Sequence, residues 1–516
     1  MSADLGSFRD NFFHLTGHSP MRWQHRLFDQ LVEGQIPAAL DLPTGLGKTS
    51  VMVIWLLARA FATEEALQAI PRRLVYVVDR RAVVDQATAE ADKLRTALDA
   101  DARHLREALR LEDSLSISTL RGAHVDKREW LKDPAVPAII VGTVDMIGSR
   151  LLFEGYGVSH KMRPYHAGLL GADTLIVLDE AHLVPPFTHL LRAIESNASL
   201  WPEDRSALPH LVLLPLSATQ REVPGEEQSR KTFGLEEEDW HDDTASQRLN
   251  ARKQLRVKAL DEKDHDRQLA EAAFALATKA PPARVVVFCN RREKKDDGAG
   301  PSAQGVAEAI MLLAKEDKKA GREKTDIAGP ELVVGARRTH ERDEVAKRLQ
   351  ELGFTGPAPS PEKPTFLVAT SAGEVGVDLD GDHMVCDLAP WERMVQRLGR
   401  VNRRGIEGRH AEVVVFDTSE TEKDASRQTL LKASRDLLQR IETDLEGKAG
   451  PAALLELRAR VGRKAIEHAS TPEPLHPALT RALVDAWSMT SLKHHTGRPK
   501  IGPWLRGWEE EQPQTI

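Results

Sequence analysis

The residues with chemistry to offer fall into three short strings. The first, "DLPTGLGKTS" (41–50), joins a strand-like "AALDL" to an apolar helical stretch. Gly45 and Gly47 let successive backbone N–H groups turn inward around phosphates. Lys48 can reach β- and γ-phosphates, and Thr49 can offer its hydroxyl to Mg2+. Leu42 stands where the common form of such a loop begins with glycine, but the glycine pair beside the lysine matters more. The second string, "TLIVLDEAH" (174–182), ends an apolar run on Asp179 and Glu180, at the strand end where open parallel sheets bind ligands. Asp179 suits a Mg2+ held through water, and Glu180 suits the orientation and deprotonation of an attacking water. Phosphate cradle, metal carboxylate and base together describe a nucleoside triphosphate hydrolase. In the third string, "QRLGRVNRRG" (396–405), the spacing of Gln396, Gly399, Arg400 and Arg403 predicts a shared helix face.

These strings need strands behind them, and the chain supplies them. From about residue 15 to 220, "LVYVVD" (74–79), "AIIVGT" (138–143), "TLIVLDE" (174–180) and "LVLLPLSAT" (211–219) alternate with helical patterns. Near-continuous apolar strands of this kind predict a parallel sheet covered on both faces. Residues 221–262 are polar and read as a linker or surface excursion. Strand-like runs return with "RVVVFCN" (284–290), "ELVVGA" (331–336), "TFLVAT" (365–370), "HMVCDL" (383–388) and "AEVVVFD" (411–417). A helix is expected around Val306–Ala314, between charged flanks that read as solvated loops. Beyond residue 420 the period becomes helical. The expected division is 1–222, a polar segment 223–262, 263–420, and a mainly helical 421–516.

Composition narrows the class. The chain has 516 residues, 41% hydrophobic and 29% charged, which suits a multidomain globular protein. Two cysteines, Cys289 and Cys386, cannot supply a disulfide framework or a Cys-rich zinc site. The net charge of −7 excludes a chain-wide polybasic surface, so a nucleic-acid partner must meet a local groove. The longest apolar run, from Val51, is shorter than the roughly 20 residues that cross a bilayer. No charged-then-apolar leader opens the chain. The expectation is a cytoplasmic protein without membrane contact.

With "PTGLGKT", "DEAH" (179–182) and "SAT" (217–219) in this order, the chain resembles a superfamily 2 helicase. The resemblance implies two RecA-like α/β domains in tandem with a C-terminal helical extension. "MRWQ" (21–24) resembles the Q motif, with Gln24 as the adenine contact. "VYVVDRRAVVDQ" (75–86) resembles motif Ia; "STLRG" (118–122) and "VGTVDM" (141–146) resemble the remaining strand-contacting motifs of the first domain. "VATSAGEVGVDLD" (368–380) resembles motif V and "QRLGRVNRRG" motif VI. Carried over, Pro43, Thr44, Gly45, Leu46, Gly47, Lys48, Thr49 and Ser50 cradle ATP, with Gly376 and Asp378 from motif V. Thr49 and Asp179 hold Mg2+. Lys48, Asp179, Glu180, Gln396, Arg400 and Arg403 form the catalytic set, the two arginines meeting the γ-phosphate as arginine fingers. Arg81, Arg121, Thr143, Arg291 and Thr370 are the expected contacts to a nucleic-acid strand.

The box Asp-Glu-Ala-His, the form "SAGEVGVDLD" and "ERMVQRLGRVNRRG" are together similar to the helicase of type I CRISPR-Cas interference. That family's helicase–nuclease is recruited by an RNA-guided surveillance complex, then unwinds and degrades target DNA, moving 3′ to 5′ on single strands. The sequence departs from it in the nuclease half. His241-Asp242 and His265-Asp266 supply the HD dipeptide without helical metal partners at readable spacing, and His160, His166 and His182 read as ordinary polar residues. The expectation is therefore no intrinsic HD nuclease, with such a nuclease on a separate polypeptide or beyond Ile516. Two other functions stay open: an RNA helicase of the Asp-Glu-Ala-His type, and an ATP-switched interaction protein that does not unwind.

Overall fold

The computed structural model describes residues 6–121, 128–201, 210–217, 230–261, 263–279, 281–293, 300–319, 326–335, 339–376, 378–492 and 498–508. The chain divides into two compact units, residues 1–242 with 473–516, and residues 243–472. Each is an α/β domain on a parallel sheet.

The first unit holds β1 (Ala39–Asp41), β2 (Arg73–Val78), β3 (Ser116–Leu120), β4 (Ala138–Thr143), β5 (Thr174–Leu178), β6 (Leu211–Ser217) and β7 (Thr232–Gly234). They pair in the order β3-β4-β2-β5-β6-β1-β7, every pair parallel. All positions of β2, β4 and β5 are buried, which is why their sequences run apolar without alternation. Because the strands are parallel, their C-terminal ends open on one edge. That edge carries the loop after β1, Asp79 after β2, and Asp179 after β5. The helix Val51–Phe61 is apolar nearly all round and buried from Val51 to Ala58, so the loop before it is anchored to the core.

The second unit holds β8 (Lys253–Ala259), β9 (Arg284–Phe288), β10 (Ala328–Val333), β11 (Thr365–Ala369), β12 (His383–Asp387) and β13 (Ala411–Asp417), in the order β10-β11-β9-β12-β13-β8, again all parallel. The helix around Val306 runs over Ala303–Lys319, and Ala425–Asp444 is the helix expected beyond residue 420.

Two features differ from the segmentation read off the sequence. The polar segment 223–262 contains β8, which pairs with β13 along its full length. Its "KQLRVKA" alternates buried and exposed at its start, as an edge strand with one wet face does, and its charges disguised it. The segment 421–516 is not one region: the helices up to His468 lie in the second unit, and residues from 473 onward return to the first. Among the described residues no helix is long and apolar enough to cross a membrane.

Candidate nucleotide-binding site

In the first unit the predicted phosphate loop follows β1. Gly45 and Gly47 have φ of 92° and 72°, the left-handed region that favours glycine and lets consecutive N–H groups converge. Lys48 opens a short 3₁₀ turn over Lys48–Ser50 and is buried. Its Nζ lies 3.3 Å from Glu180 Oε1. Gln24 accepts from the Met21 N–H at 2.8 Å and donates to Ser50 Oγ at 2.8 Å, so it is braced against the loop through both ends of its amide.

Asp179 and Glu180 sit where β5 ends. The Asp179 N–H donates to Val77 O at 2.9 Å, which ties the acid to β2 next door. Glu180 has φ 47° and ψ 50°, an uncommon conformation for a residue with a Cβ; it costs about 1–3 kcal/mol and clusters at functional sites. Burial, then the neighbouring Glu180, push the Asp179 carboxyl above the usual carboxylate range, against Lys48 and a Tyr76 hydrogen bond that pull it down. Tyr76, wholly enclosed, reaches both Asp179 and Thr49 with its hydroxyl. His182 Nδ1 pairs with Ser217 Oγ at 3.1 Å, joining "DEAH" to the first residue of "SAT"; Ala218 and Thr219 lie outside the described residues.

The donor set suits magnesium. A carboxylate and a hydroxyl are hard oxygen ligands, and Asp179, buried beside a second acid, offers negative charge that burial makes costly and a cation would relieve.

Tyr76 and the His182–Ser217 link were missed in the sequence reading. A signal existed for the tyrosine. It is one of three in the chain and stands inside a near-continuous apolar strand, where a buried hydroxyl needs a partner.

In the second unit, the predicted helix face of Gln396, Gly399, Arg400 and Arg403 is corrected by the structure: the helix Trp391–Leu398 ends before both arginines. Beyond it, Asn402 is wholly buried with φ 40°. Its side chain donates to Arg252 O and Arg409 O at 3.2 Å each, replacing helical bonds with bonds to other segments. Arg400 and Arg403 are positioned individually. Arg400 Nε donates to Glu374 O at 2.8 Å, and Arg403 Nε lies 3.0 Å from Asp378 Oδ1. Gly376 turns at φ 93°, and Gln396 is buried. Glu374, Asp378, Arg400 and Arg403 are thus one cluster.

Beneath it lies a buried charge network that the sequence did not announce. Glu374 accepts from Arg393 Nη2 and Nε at 2.7 and 2.9 Å and from Arg397 Nε at 2.7 Å. Arg397, fully buried, also donates to Asp387 O and Oδ1 at 2.6 and 3.0 Å and to Asn290 Oδ1 at 2.8 Å.

The expected strand contacts occupy the same sheet edges. Arg81 is exposed at the start of the helix Arg81–Asp101. Arg121 is paired with Asp85. Thr143 is buried, and its hydroxyl caps the helix Val144–Leu151 by accepting the Met146 N–H at 3.3 Å. In the second unit, Thr370 follows β11 and is buried, and Arg291 bridges to Ser302. Of the histidines, His241 Nδ1 bonds to Glu237 O, and Asp266 accepts from the Ser302 N–H. His166 is buried against Trp130. Among the described residues, no three or more His, Cys, Asp or Glu side chains gather as a metal-holding group.

Residues 18–222 match the family "Type III restriction enzyme, res subunit", and residues 304–406 match "CRISPR-associated nuclease/helicase Cas3, C-terminal". In both matched segments and in its fold, the chain resembles a superfamily 2 helicase of the Cas3 type. A 109-residue stretch is 28% identical to the CRISPR-associated nuclease/helicase Cas3 of Streptococcus thermophilus, covering 20% of this chain and 11% of that protein. The crystal structure of T. fusca Cas3 has the same fold, with a TM-score of 0.56 and 16% identity, over 89% of this chain and 56% of that one. The helicase MrfA bound to DNA gives 0.53 and 14%, over 96% and 62%. Mycobacterium smegmatis Lhr bound to ssDNA and AMP-PNP gives 0.51 and 16%, over 94% and 57%. The chain therefore spans a little over half the length of these structures.

Proposed function

We propose that the chain is an ATP-driven helicase or translocase on single-stranded DNA, moving 3′ to 5′. Its setting is type I CRISPR interference in the cytoplasm, after recruitment by an RNA-guided surveillance complex and alongside a separate HD nuclease. The observation that supports hydrolysis most is the convergence of Lys48, Thr49, Tyr76, Asp179 and Glu180 on one edge of the first sheet. In this reading Lys48 exchanges Glu180 for the γ-phosphate when ATP enters. Glu180, relieved of the amine, orients and deprotonates water. Thr49 and Asp179 would hold Mg2+, which when bound neutralises charge on the β- and γ-phosphates. Gln24 reads the adenine, with Pro43, Thr44, Leu46, Ser50, Gly376 and Asp378 contributing to the nucleotide site. Arg400 and Arg403 supply positive charge to the transferred phosphoryl group, with Gln396 supporting them. Arg81, Arg121, Thr143, Arg291 and Thr370 line the strand path. DNA is favoured over RNA by the DNA-bound relatives MrfA and Lhr.

The test compares ATP hydrolysis with single-stranded DNA and with RNA of equal length, together with strand displacement from a duplex bearing a 3′ overhang. DNA stimulation with displacement is expected. Stronger stimulation by RNA assigns an RNA helicase, and hydrolysis without displacement or movement assigns a nucleotide-switched interaction protein.

A further inference from the structure

The end of the described chain reaches the functional edge of the first sheet. Ile501, Trp504 and Leu505 are buried in the core of the first unit, with Ile147 and Phe187. Trp504 meets Trp487 edge to face at 4.9 Å and donates from Nε1 to Ala478 O at 3.3 Å. Gly148 makes room for this segment: a Cβ there would run into Leu505 and Phe187. The packing leaves Arg506 little freedom. Its Nη2 and Nε meet Asp145 Oδ2 and Oδ1 at 2.8 and 3.2 Å, and its Nη1 meets Asp79. The two carboxylates hold its pKa well above the ordinary arginine value despite burial.

The position of those carboxylates matters. Asp79 directly follows β2, and Asp145 lies in the first turn after β4. β2 and β4 are parallel neighbours, whereas the phosphate loop at β1 is separated from β2 by β5 and β6. The acids therefore stand on the part of the edge that carries Arg80, Arg81 and Thr143, away from the triphosphate. Side chains of Asp79 and Asp145 remain 21% and 46% exposed, enough to repel a phosphate backbone. With Arg80 and Arg81 alone, the two acids bring this patch to neutrality.

We propose that Arg506 is a positioning residue that converts this edge into a phosphate-binding rim, cancelling Asp79 and Asp145 so that the patch faces a nucleic-acid strand with net positive charge. The inference rests on the nucleic-acid reading above. Losing one effective cation should weaken single-strand binding about fivefold at 0.1 M salt and reduce the slope of log K against log salt by about 0.7.

The experiment measures anisotropy of a labelled oligo-dT with the full chain between 50 and 200 mM NaCl, with the melting temperature of each variant recorded. Arg506→Ala should show the fivefold loss and the shallower slope. Arg506→Lys, which keeps the charge, should bind within about twofold of the parent. Adding Asp79→Asn and Asp145→Asn to Arg506→Ala should restore at least parental affinity. Unchanged or tighter binding by Arg506→Ala overturns the proposal, the tighter case marking the tail as a latch. So does Arg506→Lys binding as weakly as alanine, because the role is then packing or fork geometry. A parent that fails to bind oligo-dT at every salt concentration overturns the nucleic-acid reading and this inference with it.

Discussion

Replacing Glu374 by glutamine should disable the second unit in two measurable ways. Glu374 is 2% exposed and accepts three hydrogen bonds from Arg393 and Arg397. Burial pushes its carboxyl up, but the two guanidinium groups outweigh burial and bring it to about 2 from an ordinary 4.5. That shift corresponds to roughly 3 kcal/mol of stabilisation at neutral pH, at about 1.4 kcal/mol per pKa unit. Breaking a buried ion pair costs about 3–5 kcal/mol, with Arg397 keeping Asp387 and Asn290 as partners in the variant. For a domain of this size each kcal/mol moves the melting temperature by about 2–4 °C, which predicts a fall of roughly 6–20 °C in the transition of the second unit. Scanning calorimetry of Glu374→Gln against the parent checks it. The sign with pH follows from the depressed value: the contribution is fully present above about pH 4.5 and is lost as pH falls toward 2, so the variant should lose that part of the acid dependence. ATP turnover should fall too, because the Glu374 carbonyl holds Arg400. A variant melting within 2 °C of the parent with the same acid profile would refute the assigned weight of this network.

Lys48→Ala should reduce ATP turnover to near background in a phosphate-release assay, since nothing else described at the loop after β1 offers an amine. Glu180→Gln should retain ATP binding but slow nucleotide release, followed with a fluorescent analogue; release at the parental rate argues against Glu180 as the base. Tyr76→Phe removes a hydroxyl bonded to a buried carboxylate, an interaction worth about 1.5–3 kcal/mol. A 10- to 150-fold fall in kcat/KM is expected, and parental kinetics would remove Tyr76 from the site. Leu505→Ala, at a side chain 1% exposed, should cost the first unit about 2–5 kcal/mol; a change below 0.5 kcal/mol would show that the terminal segment does not belong to that core.

The loop at Gly45–Thr49, the acid pair at 179–180 and the strands of both sheets were legible because each depends on local chemistry. A near-continuous apolar run makes a covered parallel strand, and Gly-x-Gly-Lys-Thr between strand and helix makes a tight loop turned by its two glycines. The sequence reading misplaced the arginines of the third string, because helical spacing says nothing about where a helix stops. Asn402 ends that pattern through bonds to Arg252 and Arg409, partners invisible in a seven-residue window. Likewise β8 was hidden because an edge strand with one wet face has the composition of a linker.

Taken alone, then, the sequence determined the fold class, the glycine-turned loop between strand and helix at Lys48 and the order of the helicase-like motifs, all set by neighbours within a few residues of each other. Only the tertiary structure decided that Tyr76 serves Asp179, that Glu374 and Arg397 anchor Arg400 from beneath, and that Arg506 returns to Asp79 across 427 positions of chain. Those pairings depend on which strand ends share an edge and how deeply a charge is buried, and neither quantity exists until the sheets are assembled.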